Sequence, residues 1–409
     1  MTQHLATQRS WTGSELRGEV LRPGDPGYDR ERASLNPAFD ARPEVVVSAS
    51  RPADVAAAVT WARARGLALA VQATGHGTHV ASDGGVLLKT SRMTGVLVDP
   101  DRRIAKVGAG AVWADVVAAA APFGLAPVTG SSPTVGVAGF TMGGGLGPLS
   151  RKYGLGADNL LKVSVITADG VPVTATPDRN PELFWAVRGG GGNFGVTTSL
   201  EIRLHPVASV YAGQALFPIS HAAELLERYR DYAPVMPSEL TCTIALVGST
   251  VAVRAMYAGD ADAAQRALRP LWIDTPVEDT FASVPYARAS VPGTAPRNFD
   301  LFAALPDSSV VLDVARESNA VEVRYWGGAI ARGTSPAGHR TVPFSITVDG
   351  PEPERLWPYA TGGSFLNFLH DPDAVETAYT AADYQRLRDI KTVYDPTNLF
   401  SRNLNITPA

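Results

Sequence analysis

A single histidine stands among glycines in the segment VQATGHGTHV, residues 71–80. A strand-like apolar run ends at Gln72, and the small residues that follow hold the imidazole of His76 between Gly75 and Gly77. Glycines allow a backbone to lie directly against a bound molecule, because no Cβ stands in the way. A neutral imidazole in such a loop is a competent nucleophile. Taken alone, the segment is explained more simply by an exposed loop histidine without a chemical role.

A second glycine-rich segment spans residues 127–156, PVTGSSPTVGVAGFTMGGGLGPLSRKYGLG. Its glycine density is poor for regular secondary structure and suits backbone in contact with a ligand. The alternative is a floppy surface loop. Interleaved apolar residues such as Val135, Val137, Phe140 and Leu146 argue against that alternative, because a solvated loop would not carry so many of them. The segment is therefore predicted to line a binding site.

A third glycine motif, GGGNFG at residues 190–195, matches the spacing G-x-G-x-x-G. A dinucleotide-binding turn of this type needs a strand before it and a helix after it. Here PELFWAV, residues 181–187, predicts a short helix, and VTTSLEIRLHPV, residues 196–207, has apolar residues at the strand period. We therefore reject the dinucleotide-binding interpretation.

Helices and short strands alternate through the first half of the chain, which favours an α/β or α+β architecture. Helices are predicted at residues 51–66, with Pro52 near the start, and at residues 111–124, with short strands between them. The pattern changes near residue 205. LTCTIALV and TVAVRAMY are then joined by Gly248-Ser249, a strong hairpin signal. A second domain, a sheet with helices on one side, is expected there.

The composition excludes several classes of protein. The 409 residues include 36 basic and 40 acidic ones without a long run of either sign, so no nucleic-acid partner is expected. The single Cys242 forms no internal disulfide and leaves no cysteine-based metal site. No apolar run is long enough to cross a bilayer. The first 20 residues lack the features of a signal peptide, so a cytoplasmic location is expected, with no metal and no membrane partner.

Five motifs in order resemble the vanillyl-alcohol oxidase superfamily, and within it the berberine bridge enzyme-like oxidoreductases, in particular bacterial ones. QATGH stands where the family has Arg-Gly-Gly-Gly-His, and GSSPTVGVAG stands where it has G-x-C-P-T-V-G-x-G-G followed by three glycines. The segments SRKYGLGADNLL, PELFWAVRGGGGNFGVTTSLEIRLHPV and YDPTNLFSRNLNI match as well. The resemblance covers about residues 18–406. Each motif alone is weak, and their order makes the combination strong.

The resemblance implies an α+β, two-lobed FAD-binding fold of the PCMH type. Residues 1–206 would form the FAD-binding domain, with its core at about 38–206. Residues 207–372 would form an inserted substrate-binding domain, an antiparallel sheet flanked by helices. Residues 373–409 would return to the FAD domain. The flavin would lie at the interface of the two lobes, where ligand sites commonly occur.

The resemblance also implies FAD as the cofactor, bound covalently. Backbone N–H groups from Ala73 to Gly77 would surround the pyrophosphate, and His76 would bond to the 8-methyl carbon of the flavin. Many relatives attach FAD a second time through a cysteine, where this chain has Ser132, so a single attachment is expected. The further cofactor-binding residues would be Thr74, Gly75, Thr78, His79, Ser131, Thr134, Val135, Gly136, Val137, Gly139, Val196, Asn403 and Asn405.

The catalytic residues depart from the family pattern. The family's Tyr-x-Asn-Tyr-x-Asp run corresponds to FLNFLH here, which keeps Asn367 but replaces both tyrosines by Phe365 and Phe368. Tyr325, which shares a strand face with Val321 and Val323 by alternation, is the candidate replacement for the missing base, although a core tyrosine is the simpler interpretation. A substrate that is already acidic, such as a phenol or a β-dicarbonyl, would explain the loss equally.

Val135 occupies the family position that governs access of O₂ to the reduced flavin. A valine there accompanies oxidases and a bulkier residue accompanies dehydrogenases, although ordinary packing also explains a valine. The expected function is therefore an FAD-dependent oxidase that takes a hydride from a small organic substrate (an alcohol, a phenol or a natural-product intermediate) and passes electrons to O₂ to give H₂O₂. The alternatives are a flavin dehydrogenase with another acceptor and a non-catalytic flavoprotein that binds a metabolite. The substrate and the oligomeric state are not determined by the sequence.

Overall fold

The structure is a computed structural model that describes residues 17–409. Residues 1–16 lie outside it, and with them most of the segment from which the absence of a signal peptide was predicted. The strands of the N-terminal half are β1 Glu19–Leu21, β2 Val45–Ser48, β3 Leu69–Gln72, β4 Val86–Lys89, β5 Val96–Asp99, β6 Ile104–Gly108, β7 Leu125–Ala126, β8 Leu160–Ile166, β9 Pro172–Ala175, β10 Val196–Arg203 and β11 His205–Pro206.

Eight further strands follow: β12 Ser209–Pro218, β13 Leu240–Val247, β14 Thr250–Tyr257, β15 Glu278–Asp279, β16 Ala282–Pro285, β17 Asn298–Phe302, β18 Ala320–Tyr325 and β19 Phe344–Asp349. The helices are α1 Tyr28–Arg32, α2 Pro52–Ala64, α3 Trp113–Ala120, α4 Val137–Met142, α5 Ser150–Tyr153, α6 Pro181–Val187, α7 Ala222–Tyr232, α8 Ala261–Leu268, α9 Ser308–Arg316 and α10 Ala381–Tyr394. Short 3₁₀ turns connect several of them.

The first lobe contains two small sheets and an antiparallel pair of short strands, β7 with β11. The first has the order β1-β2-β4-β3. Strand β4 pairs in parallel with β2 and with β3, and β1 pairs antiparallel with β2. The second has the order β5-β6-β10-β8-β9 and is antiparallel throughout. Helix α2 begins at the predicted Pro52 and buries Val55, Val59 and Ala62 against the first sheet. The motif at residues 190–195 lies between α6 and β10, so the rejected dinucleotide-binding interpretation stays excluded by its context.

A single eight-stranded antiparallel sheet forms the second lobe. Its order is β15-β12-β14-β13-β18-β19-β17, with β16 also pairing with β12. The predicted hairpin joins β13 and β14 through Gly248, whose φ of 56° requires a glycine-like conformation. One face of the sheet packs against α7 and α9 around an apolar core. Together with the mixed first lobe, this arrangement confirms the predicted α+β, two-lobed fold.

Buried polar contacts join the two lobes. Arg151 of α5, which is 3% exposed, donates from Nε to the carbonyl oxygen of Trp326 over 2.9 Å and from its terminal nitrogens to the carbonyls of Met236 and Pro237, each over 3.1 Å. Arg340 forms a bidentate ion pair with Asp158, at 2.8 and 2.9 Å. Because these cations satisfy buried groups of both lobes, the lobes are held in one arrangement.

The C-terminal segment packs against the first lobe. Asn193 donates to the carbonyl of Leu404 over 3.1 Å and accepts from the backbone N–H of Ile406 over 2.9 Å. Lys391 of α10 forms a fully buried pair with Asp395 at 2.7 Å and donates to the carbonyl of Asn193 over 2.8 Å. The chain end is thereby tied to the glycine turn before β10. The predicted domain boundaries at residues 206/207 and 372/373 stay a prediction.

Candidate active site

A cavity of about 570 Å³ lies between the loops of the first lobe and one face of the eight-stranded sheet. The first glycine-rich loop, from Gln72 to His79, forms one wall. The second glycine-rich segment contributes Ser131, Ser132, Val135 and other residues to the same wall. Both glycine-rich segments were predicted to lie against a ligand, and the structure brings them together at one cavity.

His76 contacts the second loop through its ring. Its Nε2 lies 3.0 Å from the hydroxyl oxygen of Thr134, and that hydroxyl lies 3.2 Å from the hydroxyl oxygen of Ser132. Gly75 has φ of 88°, a left-handed conformation that side chains rarely adopt, and its carbonyl accepts a hydrogen bond from the Thr78 hydroxyl over 3.2 Å. The glycine therefore makes the turn that brings the imidazole against Thr134.

Asn367 ties the second glycine segment to the chain that follows the eight-stranded sheet. Its Oδ1 accepts from the backbone N–H of Gly145 over 2.7 Å, and its Nδ2 donates to the carbonyl of Phe140 over 3.4 Å. A Cβ on Gly143 would collide with this side-chain amide. The amide thus fixes the glycine turn at the cavity wall, because its oxygen and its nitrogen each form a hydrogen bond with the backbone.

A pair of aromatic rings stands where the family pattern has tyrosines. Phe365 is fully buried, with its ring 5.2 Å from that of Trp326 and 5.7 Å from that of Phe368. Phe368 lines the cavity and packs on Phe299 at 4.9 Å. Neither ring carries a titratable group, so neither side chain can act as an acid or base.

The opposite wall is the polar face of the sheet. Thr243 on β13 stands between Arg254 on β14 and Arg324 on β18, as the strand registers place all three on one face. Glu322 lies on the same face, 3% exposed. Its Oε1 accepts from Nη2 of Arg324 over 2.7 Å, and its Oε2 lies 3.7 Å from Nη1 of Arg254. Burial lowers the pKa of Arg254, while Glu322 opposes that shift.

Two histidines meet at the edge of the cavity. The rings of His79 and His370 form an edge-to-face pair with centroids 5.0 Å apart. Burial lowers the pKa of His79 to about 4, and the neighbouring His370 acts in the same direction. His79 is therefore neutral at physiological pH.

Most of the predicted site residues meet at this cavity. Those that line it are Ala73, Thr74, Gly75, His76, Gly77, Thr78, His79, Ser131, Ser132, Val135, Gly136, Gly139, Asn367 and Asn403. Thr134 joins them through its contact with His76. Val137 and Val196 instead pack in apolar clusters of the first lobe, because the helix α4 and the strand β10 turn these side chains into the core. Neither valine belongs to the cavity wall.

The structure packs Tyr325, the candidate base, against the core of the second lobe, in line with the simpler of the two interpretations. Tyr325 does share a face with Val321 and Val323, as predicted, but that face packs against the helices of the second lobe. Its ring lies 5.2 Å from that of Phe344 and 5.2 Å from the guanidinium carbon of Arg151. Because alternate strand residues point to opposite faces, the cavity receives Glu322 and Arg324 instead. Tyr325 therefore stands too far round the sheet to act on a substrate.

Arg254, Glu322 and Arg324 were missed by the sequence reasoning. A signal was present, since TVAVRAMY carries one arginine in an otherwise apolar strand and AVEVRYW carries a glutamate and an arginine two positions apart. On a buried sheet such charges need a partner or a polar cavity. That argument would have identified the cavity face of β14 and β18.

The first lobe presents features that suit FAD. The side-chain Oδ1 atoms of Asn403 and Asn405 are buried and have no hydrogen-bond partner among the described residues. Buried acceptors of this kind need a donor from a ligand or water. Gly139 of α4 lines the cavity, and no atom lies within 4 Å of the position that a Cβ would take there. The backbone of α4 is therefore open toward the cavity. The residues present are compatible with a large polar cofactor held by backbone.

Comparisons with known proteins identify the class. Residues 43–176 match the family model described as FAD binding domain, and residues 364–407 match the model described as Berberine and berberine like. The chain is 30% identical to the (R)-6-hydroxynicotine oxidase of Paenarthrobacter nicotinovorans over all of this chain and 99% of that protein. These findings show that the chain belongs to the berberine bridge enzyme-like family of FAD-linked oxidoreductases.

Solved structures agree with this assignment. The crystal structure of 6-hydroxy-D-nicotine oxidase from Arthrobacter nicotinovorans has a TM-score of 0.86 at 27% identity, covering 98% of this chain and 100% of that one. Phl p 4, a grass pollen allergen described as having glucose dehydrogenase activity, shares the fold with a TM-score of 0.84 at 20% identity, covering 95% and 97%. Proteins with this fold therefore include an oxidase and a dehydrogenase.

The protein is thus an FAD-dependent oxidoreductase. Among residues 17–409, no group of three or more histidine, cysteine, aspartate or glutamate side chains is arranged to hold a metal ion. In the same part of the chain, none of the helices combines the length and hydropathy that a bilayer span requires.

Proposed function

We propose that this protein is an oxidase that holds FAD covalently through His76, oxidises a small organic substrate and passes the electrons to O₂, forming H₂O₂. The observation that carries the proposal is the meeting of His76 and Val135, from two separate loops, at one cavity. The name of the 30% identical relative, an oxidase, favours the same reaction class. When bound, FAD supplies the two-electron acceptor that the side chains of this chain lack.

The contact of His76 supports its role as the attachment residue. With the ring proton on Nε2, His76 donates to the Thr134 hydroxyl, which in turn donates to the Ser132 hydroxyl, in agreement with the distances of 3.0 and 3.2 Å. That tautomer leaves the lone pair on Nδ1, which makes Nδ1 the nucleophilic atom. Ser132 itself is an alcohol and a far weaker nucleophile than a thiolate. A single covalent bond, at His76, follows.

Val135 is the residue that we propose admits O₂. Its side chain is half-buried, lines the cavity and packs on the core of the first lobe. A small branched side chain at a cavity wall leaves space for a diatomic molecule that a longer one would fill. Asn367, whose amide is used by the backbone of Phe140 and Gly145, is proposed to position the glycine turn of this wall.

The reaction with oxygen separates the oxidase from the alternatives. The flavin of the purified protein is reduced photochemically without oxygen and then mixed with air-saturated buffer, while its absorbance and H₂O₂ are recorded. An oxidase reoxidises at least as fast as it turns over and yields H₂O₂. Slow reoxidation with rapid electron transfer to a quinone dye would establish a dehydrogenase. A flavin that no alcohol, phenol or polyketide bleaches, but whose spectrum ligands shift, would indicate a non-catalytic metabolite-binding protein.

A further inference from the structure

The polar wall of the cavity carries an uncompensated positive charge. Three of the residues that line the cavity have an arginine, lysine, aspartate or glutamate side chain, and these are Arg254, Glu322 and Arg324. Two guanidinium groups and one carboxylate leave a net charge of one positive unit, because arginine stays protonated in proteins. Arg254 and Arg324 have side chains only 11% and 22% exposed, so little bulk solvent screens this charge.

The hydrogen bonds of the cluster are incomplete. Nη1 of Arg254 and the hydroxyls of Thr241 and Thr243 are buried without a hydrogen-bond partner among the described residues. The Nε atom of Arg254 donates to Oε1 of Gln214 over 3.4 Å. The 3.7 Å between Nη1 of Arg254 and Oε2 of Glu322 is an ion-pair distance beyond hydrogen-bond reach. Oε2 of Glu322 is likewise unpartnered. Buried polar groups in native proteins are nearly always satisfied, so donors aimed into a cavity await a ligand or ordered water.

We propose that Arg254 and Arg324 bind an anionic oxygen of the substrate, a carboxylate or an ionised phenol or enol. One such anion balances the net charge and accepts from the unpartnered guanidinium nitrogen and the threonine hydroxyls. Glu322 acts as a positioning residue, since its carboxylate draws the two guanidinium groups toward one place on the sheet. This inference rests on the proposed function, because it identifies the substrate class of the same cavity.

The assignment also explains the absence of the family's tyrosines. Where the anionic oxygen is the phenol or enol oxygen that is itself oxidised, its proton is already lost and no base is needed to remove it. Phe368, which lines the cavity, and Phe299, on which it packs, can then hold the uncharged part of the molecule. The polar and apolar walls together fit an amphiphilic organic acid.

Matched ligand pairs test the proposal in the FAD-loaded protein. Binding of benzoate and benzamide, phenylacetate and phenylacetamide, and cinnamate and cinnamamide is measured by calorimetry without oxygen or turnover. We expect at least one acid to bind at least about tenfold more tightly than its amide. Benzylamine should bind more weakly still, and 4-nitrophenol should bind better above its ionisation than below it if the site takes phenolates. Equal or undetectable binding within all three pairs, or a preference for benzylamine, would overturn the proposal.

Charge variants assign the preference to residues. R254Q and R324Q should each reduce the ratio of acid to amide affinity by about tenfold or more, and R324K should retain more of it than R324Q. E322Q should reduce the ratio as well, because an uncharged amide no longer draws the two guanidinium groups toward one place. R228Q, at an exposed arginine of α7, is the matched control and should leave the ratio unchanged. Unaltered ratios in folded R254Q and R324Q would contradict the assignment, and the wild-type ligand pairs decide even where a variant does not fold. A protein that binds acids but reacts slowly with O₂ would refute the oxidase and leave this inference standing.

Discussion

The proposed covalent attachment of FAD depends on single side chains. If Thr134 holds the proton of His76 on Nε2, T134V should slow covalent attachment by about tenfold, the equivalent of one lost hydrogen bond. The rate is measured by adding FAD to apoprotein and following acid-stable flavin. S132A, which leaves the contact between His76 and Thr134 intact, is the control and should attach FAD at close to the wild-type rate. Equal attachment rates in T134V and S132A would show that Thr134 does not orient His76 for attachment.

The proposed role of Val135 is confined to the reoxidation of the reduced flavin by O₂. V135L adds one methylene to a half-buried side chain, so the fold should tolerate it at a cost of about 1–3 kcal/mol from overpacking. Reduction by dithionite should be unaffected. Reoxidation by O₂ should slow markedly, and each tenfold change corresponds to about 1.4 kcal/mol of barrier. V135A serves as the control and should react at least as fast as wild type. Unchanged reoxidation in V135L would exclude the gate.

At the scale of elements, the glycine turn after α4 depends on one amide. N367A removes both hydrogen bonds to the backbone of Phe140 and Gly145 and should cost about 1–3 kcal/mol of unfolding free energy. N367D keeps the acceptor for the Gly145 N–H and should recover part of the loss. Urea denaturation measures the stability, and flavin release measures the second effect, a weaker hold on FAD. Wild-type stability and flavin retention in N367A would show that the turn is held by other contacts.

The elements also show what the sequence could predict. Helix α2, the hairpin of β13 and β14 and the alternation of β18 were predicted correctly, because local periodicity and turn residues determine them. The face that Tyr325 occupies was left open, because alternation says which residues share a face and not which face meets a cavity. The valines beside it, Val321 and Val323, are what a helix-covered face contains.

At the scale of the whole molecule, stability should depend on pH through buried histidines. His205 stacks on Tyr153 with centroids 3.8 Å apart, and its Nε2 lies 2.7 Å from Oδ1 of Asn159. Burial, with smaller effects from nearby arginines and a lysine, lowers its pKa to about 4. The unfolded chain, with a histidine pKa near 6.5, therefore binds more protons between pH 6.5 and 4. Stability from this group is complete above pH 6.5 and is lost as the pH falls toward 4.

That loss is measurable by urea unfolding at a series of pH values. The difference between a pKa of about 4 and one of 6.5 corresponds to about 3 kcal/mol across this window, with His79 contributing in the same direction. H205Q should flatten the slope by about one proton even if it lowers stability at every pH. H221Q, at a more exposed histidine, should leave the slope as in wild type. An unchanged slope in H205Q would mean that His205 titrates normally.

The site as a whole was predictable only on its cofactor side. The two glycine-rich loops can be recognised from their composition and spacing. Most of the residues assigned to them line the cavity. The substrate side is built by strands that are distant in sequence, and β14, β18 and β19 come together only through sheet order. Their polar face is therefore a property of the assembled sheet.

The central claim is that His76 carries the flavin. The purified protein is precipitated with acid, the pellet is examined for flavin absorbance, and a digest is analysed by mass spectrometry. We expect a yellow pellet, FAD on the peptide that contains His76, no flavin on the peptide that contains Ser132, and release of FAD into the supernatant from H76A. FAD in the supernatant of the wild-type protein, or on a peptide that lacks His76, would contradict it.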